Sequence, residues 1–217
     1  MSARRLVSLL LVLSGVILLA MAGLHYWRGF EAQKQGMRQW EERRAAAPPT
    51  LPPPFPSPHE NPGIEGQAQA EPTPAPSYPY GQPIARLRIL SAGIDAVVFG
   101  GADQASLEKG PGHLPGSELP GEDTGRGNCV ITGHRDSHFR HLGWLRKGHR
   151  IELEMPSGQT ASYQVVSREI VTPDAVRVLA ATEKPRLTLI TCYPFNYVGS
   201  APKRLVVVAE PMPRHRS

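Results

Sequence analysis

The hydrophobic pattern of the chain changes character three times. Residues 6–24, LVSLLLVLSGVILLAMAGL, are apolar and uncharged throughout, close to the roughly 20 residues a bilayer-spanning helix needs. From His25 to Ala46, Trp27, Phe30, Met37 and Trp40 stand among Glu, Gln, Lys and Arg, which predicts a helical stalk leaving a membrane with aromatics at the interface. Residues 47–83 hold thirteen prolines with Ser, Thr, Gln and Glu and almost no aliphatic side chains. Such a segment cannot bury enough apolar surface to offset the entropy of ordering and reads as an extended, disordered spacer.

Beyond it the period shortens. β-branched and aliphatic runs bounded by Gly, Pro, Asn and Asp predict strands over 84–90, 96–99, 128–132, 150–155, 162–171, 187–192 and 204–210. Helical periodicity is confined to short stretches at 104–108, 139–145 and 174–179. The expected fold is therefore mainly β, a closed barrel or sandwich with short helices, over residues 84–213. Two glycine- and proline-rich segments, 95–127 and 193–203, are long enough to carry binding.

Charge adds the compartment. Arg4 and Arg5 before the apolar run favour a cytoplasmic start for residues 1–5. Arg28, Lys34, Arg38, Arg43 and Arg44 after it argue for the reverse, and the small-x-small triplet Ala20-Met21-Ala22 has the form of a signal-peptide cleavage site. The spacer and the folded region favour a retained anchor with the domain exported. The chain's net charge is +5, but residues 84–213 carry fifteen Lys or Arg against thirteen Asp or Glu, well mixed in sign. That balance does not suit a nucleic-acid partner. Two cysteines, Cys129 and Cys192, make no disulfide scaffold.

Chemistry gathers at strand ends. Leu187-Thr188-Leu189-Ile190-Thr191-Cys192 puts a thiol on the last step of an apolar strand, with Pro194 closing the ladder two residues later. Alone, Cys192 equally fits a core filler, since free cysteine is among the most buried residue types. Thr132-Gly133-His134 likewise brings a histidine to a strand exit, and Arg204 opens the last strand. Thiol, imidazole and guanidinium at neighbouring strand ends supply a nucleophile, a proton carrier and a fixed cation for an oxyanion. From unperturbed pKa values the thiolate–imidazolium pair is only about 1% of the neutral pair, a gap of roughly 2.7 kcal/mol that a nearby arginine narrows.

These residues resemble a known family. TLITC at 188–192, TGH at 132–134 and Arg204 beyond the cysteine resemble the sortases, cysteine transpeptidases on a sortase-type β-barrel of about eight strands. GNCVITGHRDSHF at 127–139 and LTLITCYPFNYVGSAPKRLVV at 187–207 are most similar to the sortases of Gram-negative bacteria, class GN or marine proteobacterial type. The resemblance implies that Cys192 attacks a carbonyl in a C-terminal sorting motif of an exported protein, giving a thioacyl-enzyme that an envelope amine resolves. It assigns proton transfer to His134, the carbonyl or oxyanion to Arg204, and support of the oxyanion hole to Thr191. Together with the apolar span it places the chain as a single-pass protein of the bacterial inner membrane with its catalytic domain in the periplasm, and no metal or other cofactor is expected.

Three rivals remain: a metal site, a disulfide-stabilised binding module and a cysteine peptidase. His134, His138 and His141 would share a face if helical, as in a zinc site, but Arg135 stands where an HExxH motif has glutamate. Glu118, Glu122 and Asp123 are scattered candidates for calcium. A Cys129–Cys192 disulfide would convert the domain into a non-enzymatic binding module. A cysteine peptidase, with water as acceptor, would use the same residues.

Overall fold

The structure is a computed structural model and describes residues 3–46, 78, 80–121 and 127–212. Most of the spacer expected over 47–83, together with Glu122 and Asp123, lies outside the described residues. Eight strands follow the N-terminal helix: β1 (Pro83–Ile89), β2 (Ile94–Gly100), β3 (Gly112–His113), β4 (Asn128–Gly133), β5 (Arg150–Glu154), β6 (Thr160–Val171), β7 (Arg186–Tyr193) and β8 (Lys203–Pro211). They close into a barrel in the order β1-β2-β3-β4-β7-β8-β6-β5. All neighbouring pairs are antiparallel except β2–β3 and β4–β7.

The barrel fills because its strands alternate. Ile84, Leu87, Ile89, Ile131, Leu153, Leu187, Leu189, Leu205 and Val207 belong to one buried cluster, closed at one end by Phe139, Leu142 and Leu145. The helix expected over 139–145 is only a 3₁₀ turn, Leu142–Trp144, preceded by turns. Its apolar spacing serves to plug the barrel end. A second short helix, α2 (Gln104–Lys109), starts on Asp103, whose carboxylate accepts from the Ser106 amide at 3.1 Å. Asp174–Leu179 yields a 3₁₀ turn at Val176–Leu179.

One helix, α1 (Ala3–Ala46), runs through both the expected span and the expected stalk. At 44 residues it is about 66 Å long. Its N-terminal half is apolar enough to cross a membrane, with the apolar side chains exposed. Its C-terminal half is not a free stalk but lies on the barrel. Gly29, Gln33, Gly36, Met37, Trp40 and Arg44 recur every three or four positions and form one face. Trp40 is fully buried against Val97 and Phe99, with Met37 beside it, whereas Trp27 and Phe30 are exposed.

The docking site exists because β3 is only two residues long. It pairs with Phe99 and Gly100 of β2 and leaves the preceding edge of that strand without a strand partner. The Gln33 side chain replaces one. Its amide oxygen accepts from the Val97 N–H at 3.1 Å, and its nitrogen donates to the Val97 carbonyl at 3.2 Å and the Lys109 carbonyl at 2.7 Å. An open β edge is thereby satisfied by a helix. Close approach requires glycine at 36, where a Cβ would stand 2.7 Å from the Phe99 ring. Arg43 then donates to the Pro83 carbonyl and to Gln82 Oε1, both at 2.6 Å, and Arg44 pairs with Glu154 at 2.7 Å.

Candidate active site

Register brings the strand-end groups together. Leu187, Leu189 and Thr191 of β7 face the core, so Ile190 and Cys192 face outward. β4 runs parallel alongside, with Gly133 opposite Thr191. Gly133 faces inward over the Phe139 ring, where a Cβ would come within 2.8 Å of it. The next residue, His134, therefore leaves the barrel on the Cys192 side. From the other flank, Cys192 pairs with Arg204 across the β7–β8 ladder. Side chains opposite one another in such a ladder share a face, with Cβ atoms about 5 Å apart.

All three groups are half-buried. Among the described residues no hydrogen bond holds the Cys192 thiol or the His134 ring. The Arg204 guanidinium has no carboxylate partner there; its Nη1 donates to the Ala201 and Lys203 carbonyls at 3.0 and 2.9 Å. Among the described residues no other acceptor engages its remaining N–H groups. On the same outer face Val130, Thr132, Ile190 and Val206 floor a cavity of about 270 Å³, walled by the 172–179 segment and reaching Arg204. An apolar groove thus reaches Arg204, the cross-strand partner of Cys192.

Residues 87–212 match the family model of the sortase domain. The chain belongs to the sortase family. Sortase D of Bacillus subtilis (strain 168) is 39% identical over 128 residues, which are 58% of this chain and 63% of that protein. The match therefore spans less than two thirds of the relative's length. Among solved structures, a lid mutant of sortase A from Corynebacterium diphtheriae superposes with TM-score 0.55 at 33% identity, covering 59% of this chain and 69% of that one. Sortase C-1 from Actinomyces oris superposes with TM-score 0.56 at 32% identity, covering 61% and 75%.

In this sortase barrel the register places Cys192, His134 and Arg204 at adjoining strand ends, whereas Thr191 takes a different position. Its side chain is turned to the core and its hydroxyl donates to the Gly133 carbonyl at 2.7 Å. It supports the site from beneath, by fixing the β4–β7 register immediately before His134. The hydroxyl does not line the outer face on which an oxyanion would form.

The rival arrangements meet the same geometry. Residues 135–141 form turns, so His134, His138 and His141 share no helical face, and His141 instead stacks on Trp144 with ring centroids 4.1 Å apart. Burial pushes His138 below the usual histidine range; the neighbouring His134 adds to that shift and Asp136 opposes it. Among the described residues no three His, Cys, Asp or Glu side chains cluster as metal ligands would. Cys129 is buried in the core opposite Leu187, five positions before Cys192, whose side chain faces the other way. That is roughly 16 Å along the ladder, far beyond the reach of a disulfide. Among the described residues neither cysteine is in a disulfide.

Two positioning residues escaped sequence reading. Buried Asn128 donates to the Val178 and Ala180 carbonyls at 3.0 and 3.1 Å and accepts from the Thr188 hydroxyl at 2.6 Å, which pins the groove wall. Arg135 donates from Nη2 to the Tyr197 and Gly199 carbonyls at 2.7 and 2.9 Å. All five bonds span 50 residues of sequence or more, so no local pattern announces them.

Proposed function

We propose that this protein is a membrane-anchored cysteine transpeptidase acting on exported proteins with a C-terminal sorting motif. The observation that carries the reading is the Cys192–Arg204 cross-strand pair, beside the His134 exit, at the end of an apolar groove. The Cys192 thiolate attacks the scissile carbonyl carbon, and Arg204 N–H groups receive the oxyanion. His134 gives its proton to the departing amine, the C–N bond breaks, and a thioester remains. An incoming amine, deprotonated by His134, attacks that thioester; an amide forms and the thiol leaves. The groove holds apolar side chains of the motif, which orients the carbonyl before attack.

The same reading gives α1 the role of an inner-membrane anchor through residues 6–24, with the barrel on the periplasmic side. Family likeness within 127–139 and 187–207 favours the Gram-negative class. The acyl acceptor is an envelope amine, and a water-accepting peptidase is the outcome to be distinguished from it.

The test is mass spectrometry of the full chain after incubation with envelope proteins bearing a C-terminal apolar tail. An acyl-peptide is expected on Cys192 and, with an added amine, on that amine. Cys129→Ala retains trapping and Cys192→Ala abolishes it. Arg204→Lys loses about 100-fold or more in rate, as for removal of an oxyanion donor. Equal loss from both cysteine changes, or a fully active Arg204→Lys, contradicts the assignment; acyl release only to water marks a peptidase.

A further inference from the structure

The loop between the nucleophile and Arg204, residues 194–202, is held in an unusual way. Its near end is packed: Phe195 sits against the core cluster, lies edge-on to Tyr193 at 6.0 Å, and fits over Gly143, where a Cβ would meet the ring at 2.7 Å. Its apex is not packed, with Val198 95% and Tyr197 45% exposed. Among the described residues every hydrogen bond received by the loop comes from two arginines, Arg135 and Arg204. Arg135 directly follows His134, and Arg204 is the cross-strand partner of Cys192.

We propose that Arg135 is a positioning residue that clamps this loop across the active site and so keeps the Arg204 guanidinium aligned for the oxyanion. The inference rests on the transpeptidase reading. Arg135 ties the His134 exit to Tyr197 and Gly199, while Arg204 Nη1 is bound to Ala201 in the same loop. Without the clamp, the apex has neither packing nor a described donor to hold it, and its movement carries the carbonyl against which Arg204 is oriented. Small misplacements of such donors cost much of the rate. The thiol itself stays on the end of β7 and His134 on the end of β4, both outside the loop.

That division gives the clamp a signature of its own. Acyl transfer passes through an oxyanion and feels Arg204, whereas alkylation of a thiol by iodoacetamide forms none. The experiment uses the full chain in detergent micelles with 4-nitrophenyl acetate as acyl donor and glycinamide as acceptor. In the donor step the Cys192 thiolate takes the acetyl group and nitrophenolate leaves; glycinamide then takes the acetyl group as an amide and restores the thiol.

In Arg135→Ala both acyl-transfer rates fall about 10- to 100-fold, donor KM stays within twofold, and Cys192 alkylation stays within twofold of the parent. Amide hydrogen exchange of residues 196–201 speeds up while that of β4 and β7 does not. Arg135→Lys recovers most of the rate, because both bonds come from a single nitrogen that an ammonium can replace. Unchanged exchange at 196–201, unchanged acyl transfer, or equal loss of alkylation and acyl transfer each overturns the clamp. If the parent protein itself gives no Cys192-dependent nitrophenolate release, the transpeptidase reading fails, and the exchange measurement still decides whether Arg135 holds the loop.

Discussion

A threonine directly before a reactive cysteine can act in two ways, and the alternation of β7 separates them. With Cys192 turned outward, Thr191 turns inward, and its hydroxyl spends its proton on Gly133 rather than on a substrate. Thr191→Val keeps the shape and leaves the Gly133 carbonyl with one donor fewer, a cost of about 1–2 kcal/mol. The expected result is a fall of a few degrees in Tm with less than a tenfold change in acyl transfer, and Thr191→Ser close to the parent. A loss of 100-fold or more at unchanged Tm would instead return the hydroxyl to the oxyanion. The period of two was visible in LTLITC, so this orientation was legible. Adjacency in sequence to the proposed nucleophile is not adjacency in space, because neighbours along a strand point to opposite faces. The strand-end positions of Cys192, His134 and Arg204 were legible for the complementary reason: each sits where an apolar strand meets a turn, and strand ends are marked by local composition.

Elements were legible in proportion to how much of their stability is local. Seven of the eight strands fall within two residues of the apolar runs that announced them, because each run needs only a pleat and a core to face. β3 was not legible, since Gly112 and His113 have no strand pattern and pair only because β2 and β4 flank them. Docking of α1 follows from that gap. The 25–46 stretch reads as a stalk because its docking face is made of glycines, one glutamine and two large apolar residues, too sparse for an apolar stripe. Trp40→Ala tests the dock: removing a fully buried indole costs about 3–5 kcal/mol locally. The expected outcome is protease sensitivity within 25–46 and faster exchange of the Val97 amide, which is bonded to Gln33, with β7 and β8 unaffected. Protection at Val97 equal to the parent would show that the helix is held by something other than Trp40.

Scaled up to the whole molecule, the dock changes what the proline-rich segment does. A segment separating an anchor from a domain sets reach only if its two ends are free to part. Here Arg43, near the end of the helix, donates to Gln82 and Pro83, at the start of the barrel. Residues 47–79 therefore join two points that are already in contact, and on the proposed anchoring the helix sets the distance from the membrane. Closing a loop costs about 0.6 kcal/mol more for each doubling of its length, so shortening this one stabilises the dock slightly. Deleting residues 55–70 leaves seventeen residues in that segment, able to span roughly 55 Å when extended and ample to join adjoining ends. The expected outcome in vesicles is an unchanged rate of acyl transfer to a membrane-embedded substrate in the docked protein. In the Trp40→Ala background the same deletion matters, because the segment then becomes the tether and its length sets the effective concentration of domain at substrate. A length dependence in the docked parent equal to that in the undocked variant would mean that the ends part during turnover and that the segment acts as a spacer.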